Sequence, residues 1–309
     1  MRIRRRRDIW DVVVVGGGIA GLTAALHAVR RGLTTALFES APAHGGLVAN
    51  VNHLDDWPAT SDTSGVELAA ALVAQLREEN VELYNERVDG MRDDGKLLRI
   101  VGEAHELRAR TVVAASGGRL KPLDVPGAAP LVGKGVSQCA DCDGYFFRNQ
   151  DVVVVGAGDG ALHEALVLVG ICRSVTLIVR SKVIARAAYV ERAAGAANVR
   201  FVWDSEVCRV LGTDGVTGVA VRNLKSGAVT ELPCSGVFPF IGVAAESGYL
   251  PPDVKRDAAG CVITDATMRS STASIYAVGA ARSGYSGALV AAAGEAATAV
   301  KAIAGDLAM

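Results

Sequence analysis

Two cysteines three positions apart, Cys139 and Cys142, followed directly by Asp143, are the side chains of this sequence best suited by type and spacing to chemistry. Cys-x-x-Cys works either as a dithiol/disulfide couple or as half of a metal site. A structural zinc ion needs two further ligands at comparable spacing, and no second Cys-x-x-Cys or histidine pair lies nearby, so metal is the poorer reading. Thiol-disulfide exchange requires a thiolate, a leaving thiol and a proton source, and Asp143 is the nearest candidate for the last of these. Asp141, between the sulfurs, would disfavour a thiolate if it faced them; a solvent-facing side chain is the preferred reading. Cys172, Cys208, Cys234 and Cys261 stand singly along the chain and read as packed small hydrophobes.

The elements that must position the pair are legible as a device used twice. Asp11-Val-Val-Val-Val15 is an apolar strand pattern that runs into Gly16-Gly-Gly18-Ile-Ala-Gly21 and then a helical pattern to Arg30. A second strand, Thr34 to Phe38, ends at Glu39, where a carboxylate can accept hydrogen bonds from an adenosine ribose. Asp151-Val-Val-Val-Val155, Gly156-Ala-Gly158-Asp-Gly-Ala161 and the strand Ser174 to Val179 repeat the arrangement. In each copy the glycine turn lets backbone amides at a helix start approach a diphosphate, and Ala161 still permits close packing at the third position. The second copy ends in Arg180, with Lys182 and Arg186 close behind, instead of an acid; a guanidinium there binds a 2′-phosphate and leans the site towards NADP over NAD. The alternative for these cations is a solvated basic turn.

Between the copies the sequence predicts a loop over 41–63, a helix from Val66 to Glu79, a small antiparallel meander over 81–110 and a strand from Thr111 to Ala115. After the second copy come a strand from Ser274 to Val278, a Gly/Ser loop and an alanine-rich helix from about Ala288 to Ile303, which would rejoin the first domain. The expected fold class is α/β: two Rossmann-like three-layer (ββα) dinucleotide-binding domains, the second inserted into the first. Hinges at Gly117-Gly118 and Phe240-Ile-Gly242 bound the insert, giving 1–117 with 242–309, and 118–241 carrying the cysteine pair.

A chain of 309 residues suffices for two such cores, and a net charge of -1 argues against nucleic acid as a partner. The basic run Met1–Arg7 reads as a solvated tail and not as a signal peptide. Glycines and charges interrupt every apolar run before the roughly 18 residues that span a bilayer, so neither membrane insertion nor export is expected and the location is read as cytoplasmic.

With these motifs in place the chain resembles low-molecular-weight thioredoxin reductase over nearly its whole length. The resemblance rests on Gly16 to Gly21, Gly45-Gly46, Trp57-Pro58, Gly135 to Gln150 with its Cys-Ala-Asp-Cys-Asp-Gly core, Gly156 to Ala161, and Tyr276-Ala-Val-Gly279. It implies FAD at the first glycine turn, with Gly46, Asp56, Gly117 and Gly279 among the contacts, and NADPH at the second. It further implies that Cys142 faces the flavin, that Cys139 attacks the disulfide of thioredoxin or a thioredoxin-like protein, and that Asp143 handles protons. A homodimer and a rotation of the inserted domain are also implied.

The chain departs from that family near the cofactors. The family's Gly-Asp is Gly279-Ala280, its Gln after the double glycine is Leu47, its Asn before Trp-Pro is Asp56, and its Arg-Gln is Ser286-Gly287. At the phosphate site His-Arg-Arg becomes Val179-Arg180-Ser181, and Arg186 is displaced by one position. FAD is expected to bind more weakly than is usual in the family, and NADPH selectivity to be reduced. Two other readings follow: a relative with another electron donor of ferredoxin type or acting as a dithiol oxidase, and a degenerate nucleotide-binding flavoprotein without turnover.

Overall fold

The structure is a computed structural model that describes residues 8–308 except 59, 61 and 80; the tail Met1–Arg7 lies outside the described residues. The chain forms two compact units, Met1–Arg119 with Ala244–Met309, and Leu120–Val243. The glycine hinges expected from the sequence lie at 117/118 and 241/242. Among the described residues no helix is long and apolar enough to cross a membrane.

In the first unit, strands Glu82–Tyr84, Thr35–Phe38, Trp10–Val15 and Glu106–Ala114 lie side by side, all parallel. Strand Glu106–Ala114 is long enough to serve two more partners along its other edge. Its first half pairs antiparallel with Leu98–Gly102, which pairs in turn with Val88–Asp93, and its second half pairs parallel with Ile275–Ala277. Packing on both faces explains why valine fills positions 12 to 15 of Trp10–Val15: Val12 and Val14 face a core made with helices Ile19–Arg30 and Leu289–Leu307, while Val13 and Val15 face a second core made with the antiparallel strands. A strand buried on both faces has no polar alternation to show. Helix Gly65–Glu78 starts at a capping box, Ser64 Oγ accepting from the Glu67 amide at 3.2 Å. The segment after it departs from the expected meander, because Glu82–Tyr84 returns as a parallel strand beside Thr35–Phe38. A helical crossover brings it to that edge.

The second unit repeats the plan. Strands Val199–Val202, Ser174–Ile178, Asp151–Val155 and Gly236–Pro239 form a parallel sheet, and Ser205–Leu211, Gly218–Asn223 and Val229–Pro233 form an antiparallel one. Val152 and Val154 pack towards helix Asp159–Val169, and Val153 and Val155 towards the antiparallel sheet. The duplication extends to polar detail. Asp11 accepts from Thr34 Oγ1 at 2.8 Å and Asp151 accepts from Ser174 Oγ at 2.7 Å, each clasping the start of its strand to that of the next. The α/β class with Rossmann-like parallel sheets is therefore as expected.

Arg173 and Ser174 together hold the Asp151 carboxyl down at about 2. A carboxylate with a depressed folded-state pKa contributes stability above its ordinary value near 4 and loses it as pH falls towards 2. The side chain is about a third exposed, so the contribution is modest, about 1 kcal/mol. Asp151→Asn is expected to lower the urea midpoint at pH 7, with the gap from the parent narrowing between pH 4 and pH 3. A gap of undiminished size at pH 3 would contradict this account of Asp151.

Candidate functional site

Cys139 and Cys142 form a disulfide at the start of a single helical turn, Ala140–Asp143. Cys139 is the N-cap of that turn: its sulfur receives the Cys142 amide at 3.1 Å and its carbonyl the Asp143 amide at 3.1 Å. The spacing thus does two jobs, since one helical turn brings positions i and i+3 together and an amide is aimed at a sulfur that must carry negative charge when reduced. Cys142 is exposed and Cys139 half-buried. Asp143 is held by Ser137, whose hydroxyl donates to Oδ2 at 2.6 Å and accepts the Cys139 amide at 3.1 Å. The turn is pinned from behind by Glu164, a buried side chain whose Oε2 accepts the Ala140 amide at 2.6 Å.

Both glycine turns fit a dinucleotide on the evidence of their own packing. At Gly16 an added Cβ would lie 2.3 Å from the Ala115 carbonyl oxygen, and at Gly21 it would lie 1.8 Å from that of Gly16, so the fold itself demands glycine there. Gly156 is alike, its Cβ falling 2.2 Å from the Phe240 oxygen. The middle glycines differ. Gly18 has φ -72° and ψ 179°, Gly158 has φ -94° and ψ -178°, and both are conformations open to any residue. A Cβ at Gly18 would meet nothing nearer than 3.8 Å, and one at Gly158 nothing within 4 Å. Nothing in the chain forbids a side chain at these two positions, whereas a diphosphate resting on the backbone would. The following helices, Ile19–Arg30 and Asp159–Val169, both begin without a side-chain cap, which leaves their first amides to an anion.

In the second unit a cleft of about 800 Å³ opens over this turn, lined by Gly156, Gly158 and Ala161 and by Arg180 and Lys182. Arg186, the third cation read from the sequence, is not on its wall. It is bound to Asp159, Nε to Oδ2 at 2.9 Å and backbone amide to Oδ1 at 2.7 Å. In the first unit a cavity of about 480 Å³ is lined by Gly16, Glu39, Ser116 and Tyr249. Glu39 lies against the glycine turn, accepting the Gly17 amide at 2.6 Å and the Ala41 amide at 2.7 Å. Gly46 lies beside Gly18, a Cβ there falling 3.4 Å from the Gly18 Cα, and Gly117 receives the Glu246 amide on its carbonyl at 3.1 Å.

Residues 10–302 match the model of the pyridine nucleotide-disulphide oxidoreductase family. The chain belongs to this family. Within it, the chain is 36% identical over 275 residues to the thioredoxin reductase of Treponema pallidum, covering 88% of this chain and 89% of that protein. It is 34% identical over 276 residues to that of Streptomyces coelicolor, covering 88% of this chain and 86% of that protein. Among solved structures, Lactococcus lactis thioredoxin reductase superposes with a TM-score of 0.92 at 33% identity, covering 95% of this chain and 97% of that one. The chain is placed by these matches in the low-molecular-weight thioredoxin reductase branch of the family, and it is an oxidoreductase.

Against the pattern of this disulphide oxidoreductase family, two substitutions gain a physical reading. Where the family carries Asp after the C-terminal strand, Ala280 has no carboxylate to offer, and the neighbouring Gly279 amide donates to Glu295 at 2.8 Å, with Arg282 paired to the same carboxylate at 3.0 Å. Asp56, in place of Asn, receives the Leu289 amide at 3.4 Å, at the start of a helix whose N-cap residue, Ala288, supplies no side-chain cap. Ser137, Asp159, Glu164 and Glu295 were not singled out from the sequence. Ser137, two residues before Cys139, was the one with a local signal, since a hydroxyl there can reach back to the turn.

Proposed function

We propose that this chain is an NADPH-dependent, FAD-containing reductase of thioredoxin or a thioredoxin-like protein, working as a cytoplasmic homodimer. The observation that carries the reading is the Cys139–Cys142 disulfide set on the unit that also holds the Arg180-bearing nucleotide cleft. Gly16, Gly18, Gly21 and Glu39 would hold FAD, with Gly46, Asp56, Gly117 and Gly279 around it, and Gly156, Gly158, Ala161 and Arg180 would hold NADPH. Bound FAD supplies the two-electron relay between a reduced nicotinamide and a disulfide.

The chain's own groups account for the remaining steps. Two electrons and two protons convert the Cys139–Cys142 disulfide to a dithiol. Cys139, facing the Cys142 amide, is placed to pass its proton to Asp143 and attack the partner disulfide as a thiolate, and the partner sulfur that leaves takes that proton from Asp143, while the proton of Cys142 goes to the second partner sulfur in the next step. Cys142 then attacks Cys139, releases the reduced partner and restores the disulfide. Tyr145 and Phe146, three and four residues beyond Cys142, are 72% and 77% exposed. Bare aromatic surface so close along the chain to the redox pair suits a protein substrate better than a small thiol. A relative from Mycobacterium leprae, 36% identical over 275 residues, is named as a bifunctional thioredoxin reductase/thioredoxin.

The test is steady-state reduction of thioredoxin by the purified yellow protein with NADPH or NADH as donor. Turnover with NADPH is the expected result. Flavin that dithionite reduces but neither nicotinamide does would reassign the donor to a ferredoxin-type protein, and a colourless chain that takes up no FAD would remove the enzyme reading.

A further inference from the structure

Arg186 has two roles open to it: to read a 2′-phosphate, as its place after Arg180 suggests, or to serve Asp159. The geometry favours the second. Both carboxylate oxygens of Asp159 are engaged by this one residue, Oδ2 by Nε at 2.9 Å and Oδ1 by the backbone amide at 2.7 Å. The guanidinium also lies over the Tyr189 ring, 5.5 Å from its centroid, and Tyr189 is buried. Arg186 is in addition the N-cap residue of helix Ala187–Gly195, so its backbone is fixed where the side chain meets Asp159.

Asp159 is the first residue of helix Asp159–Val169, directly after the glycine over which a diphosphate would rest. A bare carboxylate there repels a diphosphate and offsets the attraction of the free amides at that helix start. Arg180 and Lys182 face the cleft itself, and neither has an ion-pair partner among the described residues. Two carboxylates line the cleft, Asp124 and Glu206, and Glu206 is paired with Arg222 at 3.4 Å.

We propose that Arg186 is a positioning residue for the diphosphate of either nicotinamide nucleotide, acting by neutralising Asp159, and that discrimination for the 2′-phosphate falls to Arg180 and Lys182. The proposal rests on the reading of this cleft as the nicotinamide-nucleotide site and divides the work among its cations. It separates two effects that a 2′-phosphate ligand would combine. Loss of Arg186 weakens both nucleotides alike, whereas loss of Arg180 weakens the phosphorylated one alone.

The experiment is calorimetric titration of the full-length flavoprotein with NADP⁺ and with NAD⁺, for the parent, Arg186→Ala, Arg180→Ala and the double variant Asp159→Asn/Arg186→Ala. Arg186→Ala is expected to weaken both nucleotides about tenfold, with their ratio unchanged. The double variant, which removes the carboxylate charge as well, regains most of that loss for both; this recovery also rules out collapse of the helix start as the cause. Arg180→Ala is expected to weaken NADP⁺ about thirtyfold and NAD⁺ hardly at all. Arg186→Ala weakening NADP⁺ alone, or a double variant as weak as Arg186→Ala, overturns the proposal. A parent chain that binds neither nucleotide overturns the reading of the cleft itself, and the proposal with it.

Discussion

Cys142→Ser and Cys139→Ser are each expected to abolish thioredoxin turnover, by at least about a thousandfold, while NADPH still bleaches the flavin absorbance. Neither step of the exchange can be completed with one sulfur. Without Cys142 a mixed disulfide formed at Cys139 cannot be resolved from within the chain, and without Cys139 no sulfur carries the amide contact from position 142 that favours a thiolate. The other cysteines do not substitute. Burial pushes the Cys172 thiol up to about 11 and the Cys234 thiol up to about 12, which leaves almost no thiolate at neutral pH. Cys208 and Cys261 are half-buried and lie far along the chain from the redox turn. The measurement is a thioredoxin assay run beside anaerobic NADPH reduction on the same samples. Retained turnover in either variant would show that the pair is structural.

The second large effect is expected at the middle glycines. Gly18→Val should yield a folded, colourless protein, and Gly158→Val a folded, yellow protein that binds NADP⁺ at least about a hundredfold more weakly. Neither backbone conformation requires glycine and neither new Cβ has a neighbour within 3.5 Å, so the fold tolerates the side chain while the ligand does not. The neighbouring first glycines supply the contrast. At Gly156, φ is +142° and a Cβ would fall 2.2 Å from the Phe240 oxygen, so Gly156→Val is expected to lose the second unit's fold along with the site. Circular dichroism, flavin absorbance and nucleotide titration together separate the two classes. Gly158→Val binding NADP⁺ as tightly as the parent would mean that no diphosphate rests there.

Much of this architecture is legible in the sequence because the same local signal is written twice. Asp-Val-Val-Val-Val-Gly at 11–16 and at 151–156 encodes a doubly buried strand entering a tight turn, and nothing but local chain geometry is needed to read it. The parallel strand Glu82–Tyr84 is harder, since three half-buried residues carry no periodicity and their partner is fixed by the crossover before them. The supports of the candidate site are harder still. Glu164 reaches the Ala140 amide across 24 positions, and Asp159 holds Arg186 across 27. Such pairings belong to the packing of helices on a sheet, and an exposed arginine looks the same in sequence whether it meets a phosphate or a carboxylate. The substitution of Ala280 for Asp reads from the sequence as a simple loss. The structure adds the Glu295–Arg282 pair beside Gly279, contributed by a helix whose sequence reads only as alanine-rich.

The claim on which the account stands is that the disulfide and the flavin exchange electrons. Anaerobic titration with dithionite, followed by absorbance and by thiol counting, tests it most directly. The expected result is uptake of four electrons per chain by the parent, two for the flavin and two for the disulfide, and of two by a Cys139→Ser/Cys142→Ser variant. Uptake of two electrons by both, with the parent's disulfide still intact at full bleaching, would contradict it.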